Sequence, residues 1–551
     1  LSSSQIGAIE TADLAKLTAE QVAGISTAAV AGLTTLQVSK LSSDQLAALS
    51  TAQVAALSTA NVAALTTAQI DKLTAAQVIA LTTAQVKAIG TDNVAKMTAE
   101  QVAALTTANV VALTTAQAAV ITSAQLAGMS TAQVKALETA DLAAMTTTAL
   151  AALTADQATA LTTDQVVGLT TAQAGVLSAT AAGVLSTAQA AALQTADLAA
   201  LTTAAIQALS TGALAGLSTA QVASMTTAQV AALTVDQVGK LTTAQVAGMG
   251  TAQVGALTSD QLAVMTTAQT RALTSAQVVA LTTAQISKLT EANVTALTSE
   301  QVKAIETADL QKLTAEQVAA ISTAAVAGLT TDQVVALTTA QIDKLSASQV
   351  GALSSAQVGA IETADLAKLT AEQVAGISTA AVAGLTTLQV SKLSSDQLAA
   401  LSTAQVAALS TANVAALTTA QIDKLTAAQV IALTTAQVKA IGTDNVAKMT
   451  AEQVAALTTA NVVALTTAQA AVITSAQLAG MSTAQVKALE TADLAAMTTT
   501  ALAVLSADQA AVLTTDQVVG LTTAQAGVLT AAAAGVLSTA QAAALQTADL
   551  A

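Results

Sequence analysis

The residues of this chain that could do chemistry are few, and they recur at fixed places. The densest acidic group is Glu10, Asp13 and Glu20; it returns as Glu306, Asp309 and Glu316, and again as Glu362, Asp365 and Glu372. Grouped carboxylates raise the question of calcium, which takes roughly six to eight oxygens, often from a loop dense in Asp and Asn. No such loop surrounds this group, and Lys16 competes for the same carboxylates. These acids read as helix-end and solvated charge rather than as ligands. The chain has no His and no Cys, so the usual zinc, iron and copper ligands are missing. Its many Ser and Thr lack the adjacent base that would activate a nucleophile. Without Phe, Trp or Tyr there is no stacking platform for nucleic-acid bases, and no glycine-rich loop is built to cradle phosphate. The expectation is a non-enzymatic chain with no catalytic, cofactor-binding or metal residue and no cofactor.

What positions these side chains is a strict repeat. Every eighth residue from Leu1 to Leu545 is Leu, Ile or Met, giving 69 octads in one register, the last one residue short. A typical octad reads Leu-Thr-Thr-Ala-Gln-Val-Ala-Ala. Numbered from its Leu, position 2 is mostly Ser or Thr, position 5 mostly Gln, and position 6 mostly Val, Ile or Leu. Ser or Thr followed three residues later by Gln is a capping box, and the apolar residues at positions 1 and 6 form the hydrophobic staple around it. In octad 33–40 the spacing predicts Thr34 as the cap, Gln37 as its reciprocal partner and Leu33 against Val38. Leu36 stands at position 4, where Ala is usual.

Four distributions point to one short helix per octad. Of 33 acidic residues, all but Asp71, Asp343 and Asp423 lie at positions 2–5, while every Lys and Arg271 lie at positions 7 or 8. Acids in the first turn and bases in the last suit the helix dipole. Twenty of 24 Gly occupy positions 7 or 8, where a left-handed helix-ending residue is expected. All nine Met fall at position 1, among them Met97, Met129 and Met265, which suits packing in a core. Seven octads carry Asp at position 5 (Asp13, Asp141, Asp197, Asp309, Asp365, Asp493, Asp549), and the same seven carry Glu or Gln at position 2 (Glu10, Glu138, Gln194, Glu306, Glu362, Glu490, Gln546). That exchange of short and long side chains implies that positions 2 and 5 touch.

One long helix is excluded, because eight residues advance about 800° and the Leu stripe would wind around it. A β-solenoid is the rival for short repeats, but dominant Ala and scarce turn residues weigh against strands. The expected fold is all-α: an α-solenoid of very short helices with an aliphatic core and a Thr, Ser and Gln surface. A six-residue helix is unstable alone, so stability must come from stacking. Two or three octads per turn would give a rod on the order of 200–310 Å.

A longer repeat overlies the octads. Residues 353–551 copy residues 1–199 with eight substitutions and no insertion, an offset of 44 whole octads. No linker or change of composition interrupts the register, so residues 1–551 read as one continuous repeat domain, with a super-repeat over 1–352 and its second copy beginning at 353. Leu1 opens an octad and Ala551 lies inside one, as in a piece cut from a longer array. The net charge of −15 opposes nucleic acid and anionic membranes as partners, and polar residues interrupt every apolar run before it could span a bilayer.

The recurring run Leu-Thr-Thr-Ala-Gln-Val, as in Leu457-Thr458-Thr459-Ala460-Asn461-Val462 and Leu49-Ser50-Thr51-Ala52-Gln53-Val54, resembles octapeptide arrays of very long bacterial surface or secreted proteins of the adhesin-like or haem-utilisation-like kind. The resemblance implies an extracellular or cell-surface location. Repetition without active-site chemistry leads to the expectation of a structural filament, stalk or matrix fibre that self-associates. An adhesin arm, or a ligand- or ice-binding lattice of Thr hydroxyls, is the alternative. A haem role finds no axial ligand in His, Tyr or Cys.

Overall fold

The computed structural model describes residues 1–545. Among them are 68 helices of four to six residues, one per octad, and no strand. The fold is an all-α solenoid of short helices. It divides into two compact units, Leu1–Leu281 and a second beginning at Thr282. That boundary does not coincide with residue 353, where the longer repeat restarts.

Octad 33–40 shows why each helix begins and ends where it does. Thr34 has extended backbone (φ −78°, ψ 157°) and its hydroxyl accepts the Gln37 N–H at 3.2 Å. The Thr34 N–H in turn donates to Gln37 Oε1 at 2.8 Å, closing the capping box around the helix Thr35–Lys40. Leu41 ends the helix in extended conformation (φ −59°, ψ 137°) and starts the next octad. Two extended residues, positions 1 and 2, thus separate successive helices and redirect the chain. Leu33 and Val38, the staple residues, are both buried. Leu36 is 58% exposed, so a large side chain at position 4 meets no packing limit.

Between Leu33 and Gln525 the core is built from positions 1, 5 and 6 of the octads. Position 5 is the departure from the sequence-based picture. Its Gln belongs to the interior, not to the surface expected for it: Gln37, Gln45 and Gln53 are buried, as are most of their counterparts. The glycines also differ from expectation. Among the described residues none has positive φ, so no helix ends in a left-handed glycine. The extended Leu at the following position 1 already stops the helix, and the role left for small residues at positions 7 and 8 is close approach between turns. A Cβ on Gly328 would lie 2.6 Å from the Ser299 carbonyl oxygen.

About three octads make one turn, the upper of the two expected numbers. Contacts between successive turns join residues 25 to 31 apart: Ser43 Oγ donates to the Ala68 carbonyl, Gln37 Nε2 to those of Ile9 and Ile6. Gln37 lies in the helix packed on Thr11–Leu14 and reaches back 28 residues to Ile9, in the link just before that helix. Helix packing agrees, each helix lying mainly against the third one along, as Ala99–Ala104 does on Ser123–Gly128. Like octads meet like neighbours at any whole number per turn, so no super-period of three octads needs to be written into the sequence.

Candidate functional site

The recurring site of this molecule is the position 5 side chain with the backbone it spans. Gln133 is representative. Its N–H donates to Ser130 Oγ at 3.3 Å, and its Oε1 accepts the Ser130 N–H at 2.7 Å, which is the capping box. Its Nε2 points away from its own helix and donates to Val102 O at 3.0 Å and Leu105 O at 2.7 Å. Val102 lies in the last turn of one helix and Leu105 in the extended link that follows it. The carboxamide thus caps its own helix at one end and seals the end of a helix one turn earlier at the other. A helix end leaves carbonyls without intrahelical partners, and a buried one must find donors elsewhere. The amide hydrogens supply them.

This second role is not implied by the capping pattern, yet a signal for it exists. Glu would serve a capping box as well as Gln, but no Glu stands at position 5 anywhere in the chain. A carboxylate can accept the cap's N–H; it cannot donate to the carbonyls of the earlier turn. Asn fills the position in part. Asn61, Asn93 and Asn109 donate from Nδ2 to Leu33, Leu65 and Leu81 carbonyls at 3.0, 2.7 and 3.1 Å, each 28 residues back. Being one methylene shorter, they make no reciprocal bond to their own cap.

The Asp octads behave differently from the expectation that positions 2 and 5 touch. Glu10, Glu138, Gln194, Glu306, Glu362 and Glu490 occupy the N-cap without a side-chain capping bond. The compensation runs between turns instead. Thr171 Oγ1 donates to Asp197 Oδ1 at 2.8 Å, and Thr339 Oγ1 to Asp365 Oδ1 at 2.6 Å, across 26 residues. Gln194 Nε2 reaches the Val167 carbonyl at 2.9 Å. Here a long side chain at position 2 reaches the earlier turn where position 5 is too short and has no amide. Gln546 and Asp549 lie outside the described residues.

The acidic groups singled out by sequence are not drawn together. Asp13 is exposed and pairs with Lys16 at 3.3 Å, while Glu10 and Glu20 are exposed. In the later copies Asp309 and Asp365 are buried, but Glu306, Glu316, Glu362 and Glu372 are exposed. Among the described residues no three acidic side chains converge as a metal site would need. The Ser and Thr of position 2 are engaged as caps, as Ser50 and Thr82 are with the Gln53 and Gln85 N–H groups at 3.2 Å. Also among the described residues, no helix is long and apolar enough to cross a membrane.

Tandem helices joined by a repeated inter-turn bond define the class: an α-solenoid repeat protein. Comparison with known families agrees. The ALTTAQ repeat matches sixteen segments between residues 6 and 523, among them 6–43, 94–131, 259–291, 358–395 and 486–523. The chain belongs to the ALTTAQ repeat family. No curated protein matches it.

Proposed function

We propose that the array is a non-enzymatic structural element: a filament, stalk or matrix fibre outside a bacterial cell, carried on the cell surface or released from it. One observation carries the reading. The chain spends its buried polar groups on joining one turn to the next, by the same bond from Gln37 to Gln541. A bond between identical units works at any array length, and its stability accumulates unit by unit. The 44-octad offset of the longer repeat is what growth by whole octads leaves behind. The bacterial surface setting rests on the resemblance to octapeptide arrays of surface and secreted proteins. Self-association would then occur between arrays, through the Thr- and Ala-rich faces at positions 3, 4 and 7.

Negative-stain electron microscopy of the purified chain, with immunogold labelling of cells that produce it, tests this. Thin uniform rods and label outside the cell are expected. Compact particles would remove the filament, and label confined to the interior would remove the surface role. The ice-binding alternative loses half its lattice, because the position 2 hydroxyls already accept helix N–H groups.

A further inference from the structure

Two octads carry a buried carboxylate where the clamp needs a donor. Asp141 and Asp493 are each 1% exposed, and the Oδ2 of each has no hydrogen-bond partner. Thr115 and Thr467 supply the side-chain hydrogen bonds that Asp141 and Asp493 do receive. By the 28-residue rule the residues beneath are Leu113 and Leu465, whose carbonyls accept no hydrogen bond. In the Asn octads the Nδ2 of a side chain of the same size donates to that carbonyl. An ionised Asp places an acceptor against an acceptor there, and a buried unpaired charge is costly.

We propose that Asp141 and Asp493 are proton-operated clamps: in the acid form each Oδ2–H donates to the carbonyl of Leu113 or Leu465, as Asn does, and deprotonation breaks that bond and loosens the turn. The proton comes from and returns to solvent. Asp141 lines a cleft of about 520 Å³, together with Thr83, Lys87, Leu113, Thr115 and Glu138, which gives the proton a route.

The surrounding charges support this. Burial raises the Asp141 carboxyl above its ordinary value; the Thr115 hydrogen bond opposes the rise, and the negative Glu138 adds to it. Asp493 is raised in the same way, with Thr467 opposing and Glu490 adding. Of the neighbouring helices, Thr115–Ala118 brings no titratable group, Thr163–Val167 brings the exposed Asp164, and Thr83–Ala88 brings Lys87 to the cleft. Around Asp493, Thr467–Ala470 brings none, and Thr515–Val519 brings the exposed Asp516. A cation would answer the same unpaired oxygen, but two carboxylates with Lys87 beside them are a poor divalent site. Asp197 also has an unpaired Oδ2, but its position 2 neighbour is the neutral Gln194, which reaches the earlier turn itself; the clamps are therefore Asp141 and Asp493, the Glu-flanked octads whose Oδ2 is buried and unpaired.

The sign follows from the raised value. The contribution is fully present below the unfolded-state carboxyl pKa of about 3.9 and is lost as pH rises through the folded value. The test compares the full chain with Asp141→Asn/Asp493→Asn by hydrogen-exchange mass spectrometry of peptides covering 105–144 and 457–496, over acid to neutral pH. At neutral pH the variant is expected to exchange several-fold more slowly there, and the difference should vanish in acid. Infrared spectra should show a protonated-carboxyl stretch in the wild type in acid that is diminished in the variant. Equal exchange at every pH, or a difference that persists in acid, overturns the proposal. Calcium that slows wild-type exchange to the variant's level at neutral pH overturns it in favour of a cation site.

Discussion

Gln133 and Asp141 stand at the same position of adjacent octads, behind Ser130 and Glu138 at position 2. Beneath Gln133 the carbonyls of Val102 and Leu105 each receive an amide hydrogen. Beneath Asp141 the Leu113 carbonyl receives none, and a carboxylate oxygen is left unpaired. Both side chains are as buried as the aliphatic residues around them. The difference teaches that this core is held by a polar side chain whose donors and acceptors are all used. Where they are not, a weak point is written into an otherwise uniform array.

The comparison can be broken by making one region into the other. Gln133→Glu would put an acceptor beneath two carbonyls while keeping shape. It should destabilise its turn by about 3 kcal/mol, the scale of a buried charge without a partner. Local hydrogen exchange or denaturant titration reads this, and a cost below about 1 kcal/mol would mean that the amide is not the clamp. Close approach between turns is a separate contribution. Gly328→Ala, whose Cβ would meet the Ser299 backbone, should cost about 1–3 kcal/mol in thermal denaturation. The helix-start half of the site is smaller: Thr82→Ala removes one cap and should cost about 1 kcal/mol, read by the same denaturation. Smallest is Gly90→Ser. Gly90 caps its helix, and a Cβ added there would have nothing within 4 Å, so the new hydroxyl should raise the denaturation midpoint slightly, stabilising by about a few tenths of a kcal/mol.

Much of this architecture is legible in the octad because it is local. Cap, reciprocal Gln, staple and helix polarity all lie within eight residues, and the helix Thr35–Lys40 forms where Thr34 and Gln37 say it should. What lies beyond reach is set between turns. Every octad offers the same caps and core residues, so three octads per turn cannot be read from the repeat. Glycines at positions 7 and 8 look like left-handed helix ends because that is their commonest use, whereas here position 1 ends the helix and glycine serves contact with another turn. Glu138 and Asp141 make no reciprocal cap: Glu138 acts on Asp141 only through its charge, and the hydrogen bond to Asp141 comes from Thr115 of the earlier turn. Only the absence of Glu at position 5 carries word of the inter-turn bond.

The central claim is that each turn is closed by a position 5 amide reaching 28 residues back. Distances between spin labels at exposed position 4 sites test it most directly, with Ala52 paired in turn with Ala68, Ala76 and Ala84. The helix Thr51–Ala56 packs on Ala75–Ala80, so Ala52–Ala76 should be the shortest of the three, with Ala52–Ala68 and Ala52–Ala84 both longer. A shortest distance at Ala52–Ala68 or at Ala52–Ala84 would mean two or four octads per turn and would contradict the clamp.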